Sequence, residues 1–388
     1  MLLIINTIQA QTVSHYAETK AIKIASKVYK KERNLLLRLP EAYQRTKAHY
    51  SVLYILDAHD RPKFDFYCQT IDILVANQQI PPLIIVGIIP EPNRRNYELT
   101  PKSTNPKHKN YGGADDLLLH LERELLPEID GNYRTNGFKI LSGHSFGGLF
   151  VTHTLVRKPN LFGAYIAQSP TLWYNDAQYV AQIDSLAQSK IKKFLFFSVS
   201  NGDETEQNIR ISVEKLYETL KICKNKDFKW QFLELNNKIH AVTPIFSFAD
   251  ALNFVFEAWR IPNDLAKAIK SVKNAKTDPL SAINNHKSRV ERLYSTDFDW
   301  SVEDYTYLMA LPTLDKGNPL KAVAILKEAQ ELYPAASFID ECLGDVEVAQ
   351  ENWAQAATYF ENALKKLLPH EEEFLAELQM KLKAVRSK

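Results

Sequence analysis

Six short runs of almost unbroken apolar residues punctuate the first 235 positions: SVLYILD (Ser51 to Asp57), LIIVGI (Leu83 to Ile88), FKILSG (Phe138 to Gly143), GAYIAQS (Gly163 to Ser169), FLFFSVS (Phe194 to Ser200) and WQFLEL (Trp230 to Leu235). A strand with one wet face alternates apolar and polar residues, whereas a strand covered on both faces does not. These runs therefore predict a mostly parallel sheet sandwiched by helices. Two extended segments precede them, AIKIASKVY (Ala21 to Tyr29) and RNLLLRLP (Arg33 to Pro40). Helical patterns fill the gaps. The longest, ADDLLLHLERELLPEI, opens on acids and gathers Leu117, Leu118, Leu121 and Leu125 on one face. Another follows Gly147, and one more runs through SFADALNFVFEAW before Arg260. Residues 15–262 thus read as a doubly wound α/β domain.

Past Pro262 no strand-like run occurs, and residues 263–388 are rich in Ala, Lys, Glu and Leu at helical spacing. An internal repeat is visible there. Ala322, Leu326, Ala329 and Pro334 recur 34 positions later as Ala356, Phe360, Ala363 and Leu368, with Pro369 next. Leu343-Gly344 and Trp353 occupy positions typical of a tetratricopeptide repeat. The expected units are 303–336, with a degenerate front half, and 337–370. Such a tail offers a surface for a protein partner.

Composition closes off several function classes. Lys+Arg against Asp+Glu is 48 to 46, so no basic surface for nucleic acid is expected. No apolar run is long enough to span a bilayer. Cys68, Cys223 and Cys342 are scattered and form neither a CxxC pair nor a metal-ligand cluster, so they read as small hydrophobes. Residues 1–14 open with MLLIINTIQA. This reads as the end of a clipped signal peptide, implying a secreted or periplasmic protein; as a buried first strand or frayed end, it is equally compatible with the cytoplasm.

The chemistry gathers at Gly143-His144-Ser145-Phe146-Gly147-Gly148. A G-x-S-x-G between a buried strand and a helix forms a nucleophile elbow, the mark of an α/β-hydrolase fold. The turn presents Ser145 at the sheet's carboxyl edge and leaves the N–H of Phe146 free to form half of an oxyanion hole. With only 12 glycines in the chain, a chance match at such a junction is improbable. A serine hydroxyl needs a general base oriented by a carboxylate, and in this fold the chain order is serine, acid, histidine. His240, just beyond the last strand, fits the base. The loop after FLFFSVS offers three carboxylates, and Asp203 is the first choice as acid, with Glu204 and Glu206 as alternatives. The loop after Asp57 supplies the second oxyanion donor, the N–H of His59 or else of Ala58.

At these residues the chain resembles the esterase D-like family of α/β hydrolases, whose relatives include siderophore and feruloyl esterases. The resemblance covers about residues 20–260 and rests on LYILDAHD (Leu53 to Asp60), RNYELTP (Arg95 to Pro101), YGGADDLLLHLERELLP (Tyr111 to Pro127), GHSFGGLF (Gly143 to Phe150), FGAYIAQSPTLWY (Phe162 to Tyr174) and the His240 loop. Tails like residues 263–388 also occur behind such domains. The resemblance implies Ser145 and His240 as triad members, with the amides of His59 and Phe146 as the oxyanion hole. It implies pocket-lining roles for Trp173 and Tyr174. Arg95 either binds an acidic substrate group or, as favoured here, holds RNYELTP in place by pairing with Glu98. One departure is Asp57-Ala58, where relatives carry Asp-Gly.

The expected activity is carboxylic-ester hydrolysis of a small-molecule ester through an acyl-enzyme, with no metal or cofactor required. Two alternatives share the chain: acyl transfer on the same residues, and a non-catalytic scaffold that binds a partner through the helical tail.

Overall fold

The computed structural model describes residues 18–103, 105, 108, 111–270, 278–368 and 374–388. The possible signal remnant and Pro369 lie outside the described residues. Two compact units emerge, one of Glu18–Pro40 with Lys47–Ser301, the other, among the described residues, of Glu41–Thr46 with Val302–Lys388.

The first unit is built on one eight-stranded sheet: β1 (Lys20–Ser26), β2 (Lys31–Arg38), β3 (Tyr50–Ile55), β4 (Leu83–Ile88), β5 (Thr135–His144), β6 (Ala164–Gln168), β7 (Lys193–Val199) and β8 (Phe228–Glu234). Their spatial order is β1-β2-β4-β3-β5-β6-β7-β8. β2 runs antiparallel to both its neighbours, and every pairing from β4 to β8 is parallel. The apolar runs are strands for the expected reason: β3, β4 and β6 have no exposed residue. The helical segment 114–132 buries Leu117, Leu118, Leu121 and Leu125 as its sequence face predicts. Helices Arg61–Ala76 and Thr243–Val255 meet through Tyr67 and Phe248, whose ring centroids are 4.2 Å apart.

The boundary between units falls at 301/302, not at 262/263 as the change in composition suggests. Helix Pro279–Tyr294 belongs with the sheet, because Tyr294 stacks on Phe194, meets Phe138 edge-on and donates its hydroxyl to the carbonyl of Val255. A switch from mixed to purely helical sequence marks a change of element type, and packing decides the domain.

The second unit is helical. It comprises the segment 304–315 and helices Pro319–Leu332, Ser337–Ala349, Trp353–Lys366 and Leu375–Arg386, joined by the short turn Glu41–Arg45 from far earlier in the chain. Arg45 fastens that turn by donating to the carbonyls of Ala335 and Lys366. Gly344 lies so close to the facing helix that a Cβ there would sit 2.4 Å from the Phe360 ring.

Candidate active site

β5 lies near the middle of the sheet and ends at His144; helix Phe146–Arg157 starts two residues later. Ser145, between them, has φ 61° and ψ −120°. A non-glycine residue in that region costs on the order of 1–3 kcal/mol and persists only where its surroundings hold it. Here the N–H of Ser145 donates to the carbonyl of Gln168 at the end of β6 (3.0 Å), and its carbonyl accepts from Leu149 and Thr171. The turn is also too tight for side chains: a Cβ on residue 143 would lie 2.5 Å from the carbonyl oxygen of Gly147. Phe146, as the first helical residue, keeps an N–H that no intrahelical carbonyl can reach.

Two loops at the carboxyl ends of β7 and β8 meet beside this serine. Gly202 N–H donates to the carbonyl of Lys238, and Lys238 N–H donates to the Ser200 hydroxyl. The stitching brings His240 onto the acid loop. His240 Nδ1 lies 2.6 Å from Oε1 of Glu206, which is fully buried. Glu206 also accepts from the N–H of Ser200 (2.7 Å, Oε2) and from the Thr243 hydroxyl. Burial raises the Glu206 carboxyl, but the His240 and Ser200 bonds outweigh it and hold the group below the usual carboxylate range. Neither Ser145 Oγ nor His240 Nε2 has a hydrogen-bond partner among the described residues.

The expectation that Asp203 meets the imidazole is corrected by this geometry. Asp203 is the N-cap of helix Glu204–Lys221: one oxygen accepts from Glu206 N–H (2.8 Å), the other from the backbone N–H of His240 (2.8 Å). Its carboxylate is spent on backbone donors. Burial raises it, yet those donors hold it low. The Asp203-Glu204-Thr205-Glu206 pattern is a D-x-x-E capping signature, a sign in the sequence that Asp203 is a cap. Glu204 is exposed and plays no part in the contact.

On the other side, β3 leads into Leu56-Asp57-Ala58-His59. Ala58 N–H is taken by the carbonyl of Ile88 (3.1 Å), whereas His59 N–H has no acceptor among the described residues, so of the two candidate donors only His59 is free. The positive φ in this loop falls on Asp57 (63°), not on Ala58, so the Asp57-Ala58 departure introduces no strain. Asp57 is held by a bidentate bridge from Arg95, Nε to Oδ1 at 2.7 Å and Nη2 to Oδ2 at 2.6 Å, and Nη2 also reaches the carbonyl of His144 at 3.4 Å. The expected Arg95–Glu98 pair does not form. Glu98 is bound instead by Arg33 at 2.7 and 2.9 Å, both side chains buried, and that pair anchors the RNYELTP segment.

Of the two aromatics assigned to the pocket, Trp173 is 41% exposed, whereas Tyr174 is fully buried. Tyr174 stacks on His108, lies 6.2 Å from the Phe146 ring and donates its hydroxyl to the carbonyl of Pro101. It supports Phe146 from beneath and lines no open surface, because its ring is enclosed by those neighbours. His144 has no role in the sequence reading beyond its place in the elbow, yet its ring lies 4.4 Å from that of His240.

An eight-stranded mixed sheet of this order, with a serine on a strained strand-to-helix turn and a histidine–carboxylate pair beside it, defines a protein of the α/β-hydrolase class. The chain belongs to the family described as "Putative esterase", whose model matches residues 26–250. It is similar to the ferri-bacillibactin esterase of Bacillus subtilis, 28% identical over 222 residues that cover 51% of this chain and 76% of that one. Among solved structures it is similar to the BES protein of Bacillus cereus, with TM-score 0.55 and 26% identity over 62% of this chain and 95% of that one. An IroE-like serine hydrolase from Shewanella oneidensis shares the fold, with TM-score 0.65 at 23% identity over 80% of this chain and all of that one. The protein is a carboxylic-ester hydrolase.

Proposed function

We propose that the protein hydrolyses its ester through an acyl-enzyme on Ser145, with His240 as general base and Glu206 as the carboxylate that orients it. The observation that carries this reading is the 2.6 Å contact between His240 Nδ1 and a buried Glu206, next to a serine held in a strained turn. Ser145 Oγ attacks the ester carbonyl carbon while His240 Nε2 takes its proton. The oxyanion of the tetrahedral intermediate accepts hydrogen bonds from the amides of Phe146 and His59. Collapse breaks the bond to the alcohol oxygen, which leaves with the proton from His240. Water then repeats the sequence against the acyl-enzyme and releases the acid. Glu206 keeps the Nδ1 proton in place and stabilises the imidazolium, and Asp203 fixes the first turn of the helix that carries Glu206. Arg95 acts through Asp57, clamping the His59 loop to the end of β5.

A siderophore-type ester is the substrate class that the relatives' activities favour. The exposed Trp173 ring gives such a substrate an apolar face to rest on. For the helical unit, tetratricopeptide-like packing is supported by Ala322, Leu326 and Ala329 and their counterparts Ala356, Phe360 and Ala363, all buried to within 1%.

The test is turnover of short p-nitrophenyl esters by wild type and Ser145→Ala, with mass spectrometry after fluorophosphonate treatment. Turnover and a single adduct, both dependent on Ser145, are expected. An adduct on another residue would overturn the assignment.

A further inference from the structure

Three side chains at the active site form a donor set of which the proposed hydrolysis uses two, Glu206 and His240, and leaves the third, His144, without a role. His144, Glu206 and His240 each offer one ligand atom, and these atoms all lie within 4.8 Å of one another. The two imidazoles face each other at 4.4 Å between centroids. His144 Nε2 is buried and has no hydrogen-bond partner among the described residues. Leaving a buried polar atom unpaired carries a desolvation cost of about 1–3 kcal/mol, and such an atom in a native site calls for a reason.

We propose that His144, His240 and Glu206 form an inhibitory site for a divalent cation of the zinc type. Two imidazoles and one carboxylate are the donor set of many mononuclear zinc sites, with the fourth position left to water. Ligand distances of about 2.0–2.2 Å place tetrahedral donors about 3.4 Å apart, so the widest pair here closes by about 1.4 Å or less. His240 sits on a single 3-10 turn and Glu206 in the first turn of its helix, where side-chain rotation supplies that movement. Oε2 of Glu206 stays on the Ser200 amide and holds the carboxylate in the orientation a metal needs. The cations nearest His144 do not oppose entry, since Arg95 is neutralised by Asp57 and Lys63 by Asp60. No electron moves; the cation takes an imidazole lone pair and ties His240 to its neighbours. The inhibitory consequence rests on the role of His240 proposed above, whereas the site itself does not.

The experiment uses the full chain stripped with a chelator. Zn2+ binding is followed by calorimetry, Co2+ coordination by visible absorption, and turnover by a p-nitrophenyl ester. Wild type should bind one Zn2+ per chain, and turnover should fall in step with occupancy. His144→Phe keeps a ring against His240 without nitrogen donors, and His144→Asn tests a smaller replacement. Both should lose about tenfold or more in Zn2+ affinity, and the turnover each shows in chelator should no longer fall over the Zn2+ range that silences wild type. Glu206→Gln, read by binding alone, should weaken Zn2+ likewise, which covers the case of a His144 variant that fails to fold. Unchanged Zn2+ affinity in these variants overturns the proposal, as does binding without a one-to-one end point. If stripped wild type hydrolyses no ester while Zn2+ binding still depends on His144, the metal site stands and the catalytic reading fails.

Discussion

The carboxyl edge of the sheet and the helical unit differ in backbone strain and in how their buried ionisable groups are paired. At the sheet edge Asp57, Ser145 and Ser169 all carry positive φ, and His144 Nε2 is buried without a partner among the described residues. In the helical unit two buried acids are answered by lysines: Asp340 by Lys366, with Gln330 also donating to it, and Glu341 by Lys381, which half-buried Asp345 shares. Only Gly317 and Glu351 there have positive φ among the described residues. Strain that persists is held in place by its surroundings, and it accumulates where geometry has to serve chemistry. The helical unit spends its polar groups on stability. Changes at the sheet edge should therefore cost rate with little stability, and changes in the helical unit should do the reverse.

The largest effect expected is from Ser145→Ala, which removes the proposed nucleophile and should lower kcat by about 10^6 with the unfolding midpoint unchanged or raised. A residual rate within a hundredfold of wild type would break the comparison at its strongest point. Glu206→Gln should follow, at about 10^4 in kcat on the scale measured for triad acids. Asp203→Asn serves as its partner experiment. Because Asn caps a helix nearly as well as Asp, it should cost less than about tenfold in rate and about 1 kcal/mol or less in stability. If Asp203→Asn loses more activity than Glu206→Gln, the acid is misassigned. Arg95→Met frees the His59 loop and should lower kcat by about 10–1000-fold, the range for a misplaced oxyanion donor, with KM little changed.

Acid should act on the same edge. Glu206 and Asp203 titrate below their ordinary values in the folded chain. Their stabilisation is therefore complete above the unfolded-state pKa, about 4, and is lost as pH falls through the folded values. Urea unfolding of wild type and Glu206→Gln from pH 7 down to pH 3 should show the acid limb shallower in the variant; parallel curves would remove these carboxylates from the account. The smallest effect on rate is expected in the helical unit. Lys381→Met leaves Glu341 and Asp345 without their shared cation and should destabilise that unit by about 1–3 kcal/mol, with kcat/KM within twofold of wild type. A tenfold loss of activity there would mean that the two regions are not separate in function.

Much of the sheet was legible in the sequence, because a strand buried on both faces has no choice but to be apolar throughout. LIIVGI is β4 to the residue, and the other strands shift by a few positions at their ends, where carbonyls pass from ladder to loop. The places of Ser145 at the end of β5 and of His240 beyond β8 were legible from the order of strands, as was the loop after β3, though not which of its two amides, His59 or Ala58, is free. Glu206 was open only as an alternative, because two carboxylates three residues apart are alike until one is seen to cap a helix. Arg95 found Asp57, 38 positions earlier, and Glu98 found Arg33, 65 positions earlier. Ion pairs between distant segments depend on how the sheet is assembled, and local spacing says nothing of them.

Because Asp203 caps the helix whose first turn bears Glu206, the two are separated by a fixed rotation, not by a length of chain. Each residue turns a helix by about 100°, so one insertion between positions 203 and 206 swings the carboxylate away from His240 even if no side chain is altered. The neighbouring stretch 235–239 is tied to Ser200 and Gly202 by hydrogen bonds but lies in no helix, so no fixed rotation per residue governs it. Natural drift in chain length in this part of the molecule should therefore gather before the histidine and leave the acid's turn untouched, and an engineer grafting new loops here would find the same asymmetry.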